Sequence, residues 1–156
     1  MYTLLLLIPL AAIIYEDFRY RAIHWIWIAC MIIYILAFST VRLNGIFLNI
    51  LVVVLELLGV WGYFSWKSRD VVNIFKTHLG LGDVLFLLCM AGLFQPLIFI
   101  RILIIFLFLS IFLFYALKRL YLLGDNATVP LAGLLSVQLA VLLLLTKLGI
   151  FTIIIL

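Results

Sequence analysis

Charged residues are scarce in this chain, and their scarcity indicates its class. Only 10% of the 156 residues are Asp, Glu, Lys or Arg, whereas an average soluble domain has roughly 25%. Hydrophobic residues make up 70%, and apolar runs follow one another without a polar block long enough to form a separate soluble domain. The composition therefore argues against an ordinary soluble protein and predicts a single transmembrane domain over residues 1–156.

Paired cysteines, a basic stripe and a leader cleavage site are also missing. Cys30 and Cys89 have no CxxC partner, which argues against the usual zinc and redox motifs, and His24 and His78 lack the i, i+4 spacing of a helical metal site. The ten Lys and Arg are spread over several loops, so no nucleic-acid partner is expected. Met1 leads directly into an apolar run without a basic region, which favours a first span over a cleaved signal peptide.

Long apolar runs are abundant, and six of them are candidate membrane-spanning helices. A helix needs roughly 20 apolar residues to cross a bilayer, and shorter spans are possible where the bilayer thins. Gln95 and Pro96 end the short fourth run because proline interrupts helical hydrogen bonding, and Pro130 is expected in the first turn of the sixth, after Thr128 as N-cap. The sequence predicts an all-α bundle of six spans at 2–15, 23–40, 45–66, 83–94, 97–117 and 129–146.

The distribution of Lys and Arg predicts the orientation of this bundle, because positive residues are retained on the cytoplasmic side. The loops after spans one, three and five hold seven of them, and the opposite side holds three. We therefore expect a multi-pass protein of the cell inner (cytoplasmic) membrane with both termini on the extracytoplasmic side. The loop with the sequence HLGLGD then faces the cytoplasm.

Two aspartates are predicted to lie at the same depth on that side. Asp17 closes span one and Asp83 opens span four. Two carboxyls about 3 Å apart share one proton, so that one can activate water while the other polarises a carbonyl, as in aspartic proteases. Gly80 and Gly82 lack Cβ atoms and would let backbone approach a substrate beside Asp83. The structural alternative is that Asp17 pairs with basic neighbours and Asp83 caps a helix.

The remaining four acids receive other interpretations. Asp125 lies in a turn-like segment, LLGDNAT, and Asp70 lies in a loop, KSRD. Glu16 is expected to point about 100° away from Asp17, toward solvent or headgroups. Glu56 lies near the middle of span three, where it is either functional or hydrogen-bonded to another helix, for example to Gln138.

These motifs resemble a known family, the type IV prepilin peptidases and the related archaeal preflagellin peptidases, which are membrane aspartic proteases of the GxGD type. The first family motif is an aspartate followed six residues later by I-P-N, and here Asp17 is followed by Ile23 at that distance. The second is GxGD, here residues 80–83, and Val129-Pro130-Leu131-Ala132 is similar to the start of the family's last helix. Three positions depart from the pattern: His24 and Trp25 replace the Pro and Asn, and Leu85 stands where a lysine often occurs.

The resemblance implies that Asp17 and Asp83 are catalytic and that Gly80 and Gly82 shape their loop. It implies an endopeptidase that removes the leader of prepilin-like or preflagellin-like substrates at the cytoplasmic face, with the lipid bilayer as its surroundings and no cofactor. The chain is similar to the short form, without the N-methyltransferase region and its paired CxxC motifs. Alternatives are a presenilin-type or signal-peptide-peptidase-type intramembrane protease, a non-catalytic scaffold, and a transporter that uses Glu56 as its coupling acid. The sequence does not predict an oligomeric state.

Overall fold

The computed structural model describes residues 4–69, 80–119 and 129–149. These ranges contain α-helices and no strand, which confirms the all-α prediction. The helices, numbered in chain order, are α1 (Leu7–Tyr20), α2 (Trp25–Phe38), α3 (Leu43–Ser68), α4 (Leu81–Ala91), α5 (Pro96–Arg119) and α6 (Leu131–Lys147). Pro130 immediately precedes the first residue of α6 instead of lying within its first turn. Thr128, the predicted N-cap, lies outside the described residues.

Two of the described helices are long and apolar enough to cross a membrane. α3 has 26 residues and α5 has 24, and only 11% and 28% of their most apolar segments are buried inside the protein. The core helix of a soluble protein would be mostly buried, so these exposed apolar faces favour lipid as their environment. The other four have between 11 and 17 residues, so the prediction of six spans stays a prediction.

Helix α6 packs against three other helices. It packs most extensively against α1 and also contacts α4 and α5. Small residues at its beginning, Ala132, Gly133 and Ser136, are fully or almost fully buried and allow close approach of the neighbouring backbone. One hydrophobic cluster continues from there and includes residues of every described helix, with Leu10, Met31, Val53, Met90, Phe99 and Leu139 among its members.

Side chains from α3 and from the residue that follows α2 bind backbone carbonyls at the break between α4 and α5. Asn49 of α3 donates hydrogen bonds of 2.8 Å to the carbonyl oxygens of Ala91 and Phe94, and the Ser39 hydroxyl donates one of 2.8 Å to the carbonyl of Gly92. Exposed backbone carbonyls are costly in a bilayer because no water is present to bind them. The predicted interruption before Pro96 is therefore present, and three of its backbone carbonyls have side-chain donors.

Candidate active site

Asp17 lies in the last turn of α1 and is 6% exposed. Its Oδ2 accepts a hydrogen bond of 2.6 Å from the backbone N–H of Gly133, near the beginning of α6. A buried carboxylate requires such donors because burial removes it from water. α1 and α6 therefore meet through a polar contact as well as through apolar packing.

Asp83 lies in the first turn of α4, where the helix dipole favours a negative charge. Its Oδ2 accepts a hydrogen bond of 3.2 Å from the N–H of Gly80, which is the N-cap residue of the same helix. Its Oδ1 accepts a second hydrogen bond, of 2.8 Å, from the N–H of Ala132. This side chain therefore caps its own helix with one oxygen and contacts α6 with the other.

Consecutive amides of α6 thus bind the two carboxylates. Ala132 and Gly133 lie in the first turn of the helix, where the N–H groups have no acceptor within the helix. One of them binds Asp83 and the next binds Asp17, and the charge of Asp17 acts on Asp83. The structure therefore brings together the two aspartates that the sequence pairs, while their catalytic role stays a prediction.

A cavity of about 280 Å³ opens beside the pair. The end of α1 and the segment that follows it, residues 21–23, line one side, and residues 80–83 line the other. This volume accommodates several water molecules or part of an extended peptide. Both aspartates therefore face a space in which a water molecule and a carbonyl group can meet.

The two predicted glycines have specific steric roles in this cavity. A Cβ at Gly82 would lie 2.9 Å from Cδ1 of Ile23, so its absence lets the beginning of α4 approach the α1–α2 connection. A Cβ at Gly80 would lie 3.1 Å from Oδ2 of Asp83, which is the oxygen that the Gly80 N–H binds. Both glycines thus permit close contacts around Asp83.

Glu16 does not point toward solvent or headgroups, so that expectation is wrong. Its carboxylate accepts hydrogen bonds from the His24 N–H at 2.9 Å, the His24 Nδ1 at 2.8 Å and the Trp27 Nε1 at 3.0 Å. The chain reverses after α1 and brings the beginning of α2 back beside the last turn of α1. Partial burial alone would raise the pKa of Glu16, but the hydrogen bonds from His24 and Trp27 lower it overall. Glu16 thus fixes the connection that lines the cavity.

Asp17 lies beyond the apolar segment that ends at Tyr15. Burial has the largest effect on the pKa of its carboxyl and raises it, while the Gly133 N–H and the positive charge of Arg21 lower it. A raised pKa allows this carboxyl to hold a proton more readily than an exposed aspartate does. Together with a second carboxylate nearby, it favours a pair that shares one proton.

No family model, curated protein or solved structure matches this chain. The identification of the site therefore depends on the geometry described above and on the sequence motifs.

The described segments contain no candidate metal site beside these aspartates. No group of three or more His, Cys, Asp or Glu side chains that could hold a metal ion occurs in those segments. Gln138 donates its hydrogen bond to the Ser110 hydroxyl at 2.8 Å, so the suggested partnership with Glu56 is not present. His78, Asp70 and Asp125 lie outside the described residues.

Sequence reasoning missed the donors on α6. Backbone N–H groups have no side-chain signature, so nothing in the residue types identified Ala132 and Gly133 as partners of the aspartates. The available signal was a proline followed shortly by two small residues, which is typical of a helix start that another element approaches closely.

Proposed function

We propose that the protein is a membrane aspartic endopeptidase that removes the leader peptide of prepilin-like or preflagellin-like proteins. The observation that carries the proposal is the convergence of Asp17 and Asp83 on adjacent amides of α6, beside a cavity. Gly80 and Gly82, which shape the wall next to Asp83, support it because a GxGD loop is expected to admit an extended substrate backbone.

The mechanism uses one shared proton. The ionised carboxyl accepts a proton from a water molecule while that water attacks the scissile carbonyl carbon. The protonated carboxyl donates a hydrogen bond to the carbonyl oxygen as negative charge develops there. The tetrahedral intermediate then collapses, the C–N bond breaks, and the leaving nitrogen takes a proton from the pair. We assign neither role to an individual aspartate because a coupled pair titrates as a unit.

In this proposal the six helices cross the inner (cytoplasmic) membrane, with both termini outside and the cavity facing the cytoplasm. The excess of Lys and Arg in the loops after α1, α3 and α5 supports this orientation. The 11 residues of α4 extend only about 16 Å, well short of the 30 Å hydrocarbon core. A helix of this length fits a floor of the active site that lies below the membrane surface and is reached by water.

The test is leader removal from a co-expressed prepilin-like substrate by the wild type, Asp17→Asn, Asp83→Asn and Asp125→Asn. The first two substitutions remove an ionisable group and should abolish processing, whereas the third changes a predicted turn residue and should preserve it. Normal processing by either Asp17→Asn or Asp83→Asn would exclude the mechanism.

A non-catalytic scaffold is the second candidate, because hydrogen bonds to the first amides of a helix are also what capping aspartates make. Asparagine caps helices about as well as aspartate but cannot exchange a proton. The asparagine variants should therefore fold normally under both interpretations, and only the peptidase loses a measurable activity.

A further inference from the structure

Arg21 follows α1 directly and lines the same cavity as the two aspartates. Its backbone adopts a left-handed conformation, with φ 55° and ψ 28°, and its N–H donates a hydrogen bond of 3.3 Å to the carbonyl of Asp17. Residues with a Cβ adopt this conformation in only a few per cent of cases. This conformation ends α1 and places a cationic side chain at the wall of the cavity.

The guanidinium acts on both carboxylates without forming an ion pair with them. Its charge is felt by Asp17 and by Asp83. However, Arg21 forms no ion pair within 4.0 Å with any carboxylate of the described residues. Nη1 of Arg21 is buried and has no hydrogen-bond partner among the described residues.

A buried guanidinium N–H without an acceptor destabilises the fold, because its hydrogen bonds to water are lost and no protein hydrogen bond replaces them. A group of this kind beside a candidate catalytic pair is suited to an acceptor that arrives with the substrate. The acceptor that every peptide substrate must bring next to the two carboxyls is the oxygen of the scissile carbonyl.

We propose that Arg21 is a catalytic residue whose guanidinium donates a hydrogen bond to the scissile carbonyl oxygen and stabilises the oxyanion that forms on it. This inference rests on the proposed peptidase function. The attacking water loses a proton to the ionised carboxyl as its oxygen bonds to the carbonyl carbon. The carbonyl electron pair moves to the oxygen, where the guanidinium and the protonated carboxyl bind it. The electron pair on this oxygen then re-forms the C=O bond as the C–N bond breaks. The amine nitrogen takes the proton that the carboxyl had accepted from the water.

The test compares Arg21→Met and Arg21→Lys with Arg19→Met as a matched control. Methionine and arginine are both unbranched at Cβ, so the left-handed backbone costs about the same with either residue. Arg19 lies two residues away, donates to the Tyr15 hydroxyl at 2.7 Å and packs over the Tyr15 and Tyr20 rings. The two Met variants remove one positive charge each from the same end of α1, so any effect on membrane orientation is shared.

Steady-state kinetics of the purified enzymes should be measured with a peptide that spans the leader junction. Removal of one oxyanion donor typically lowers kcat by about 100-fold or more, so we expect that loss for Arg21→Met with KM within about twofold of the wild type. Arg21→Lys keeps the positive charge but loses the planar guanidinium, so its kcat should lie between those of the wild type and Arg21→Met. Arg19→Met should retain the wild-type kcat.

Three results would overturn the assignment while leaving the peptidase function intact. They are a higher KM with unchanged kcat for Arg21→Met, an equal loss in Arg19→Met, and a deficit that disappears when the Arg21→Met reaction is moved to its own pH optimum. The last would mean that Arg21 acts only on the ionisation of the aspartates. Activity retained by Asp17→Asn or Asp83→Asn would instead contradict the proposed function itself.

Discussion

Replacing Gly133 with alanine tests whether the position of the Asp17 carboxylate controls the rate. A Cβ at this position would lie 2.9 Å from Oδ2 of Asp17 and 3.0 Å from two ring carbons of Phe18. To restore a contact of 3.4 Å, the carboxylate must move by about 0.5 Å relative to the N–H that binds it at 2.6 Å. Catalytic groups must be held within about 0.5 Å, and a 1 Å misplacement can cost about 100-fold. We expect kcat to fall roughly 10-fold with little change in KM.

The matched controls are Gly59→Ala and Gly62→Ala in α3. Apart from the adjacent residues and the local backbone of α3 itself, no described heavy atom lies within 4 Å of a Cβ built at either position. Alanine favours a helix over glycine by up to about 1 kcal/mol, so these variants should be fully active with an equal or slightly higher Tm. The assay is steady-state cleavage of a junction peptide by detergent-purified enzyme, with thermal unfolding of the same samples.

A double variant separates the displaced carboxylate from the crowded ring. Phe18→Ala removes the ring contact but leaves the Cβ of Ala at position 133 against the Asp17 carboxylate. The combination of Gly133→Ala with Phe18→Ala should therefore remain about as slow as Gly133→Ala, measured against Phe18→Ala alone. Recovery of full kcat in the double variant, or wild-type kcat in Gly133→Ala, would refute the argument.

Two further predictions concern stability. Burial raises the pKa of Asp17 in the folded protein above its value in the unfolded chain, so folding favours the protonated carboxyl. The stability that this provides is fully present below the unfolded-state pKa and is lost as the pH rises through the folded-state pKa. The Tm of Asp17→Asn relative to the wild type should therefore increase as the pH rises above about 4, and a difference that does not change with pH would contradict this. Asn49→Ala leaves the carbonyls of Ala91 and Phe94 without their donor and should lower the unfolding free energy by about 3 kcal/mol. Asn44→Ala, on an exposed position of the same helix, should change it by less than about 0.5 kcal/mol, and equal losses would contradict the assigned role of Asn49.

The helices could be predicted from sequence because apolar runs and helix breakers are local signals. The interruption before Pro96 and the short α4 both follow from residue types alone. The pairing of Asp17 with Asp83 was also accessible from sequence, because the loop charges predict that both residues lie on one side of a membrane. By contrast, the number of spans depends on where each helix begins and ends: α1 begins and ends later than its apolar run, whereas α2 and α4 end before theirs.

The unpredicted features depend on contacts between segments that are distant in the sequence. A helical projection assigned Glu16 to the outside because it considers one helix at a time, whereas the chain reversal at Arg21 supplies His24 and Trp27 as donors. The amides of α6 were invisible for a related reason, since every residue except proline carries an N–H. Their role becomes visible only in the folded chain, where Gly133 contacts Asp17 although the two residues are 116 positions apart in the sequence.

The dependence of both aspartates on α6 has a consequence for biosynthesis. Asp17 and Asp83 leave the ribosome early, but the amides of Ala132 and Gly133 that bind them are translated last among the described helices. A nascent chain in which α1 to α5 have already formed therefore carries both acids without the donors that align them. Packing of α6 against α1 and α4 is the step at which the two aspartates are aligned, so incomplete chains do not yet contain an aligned pair.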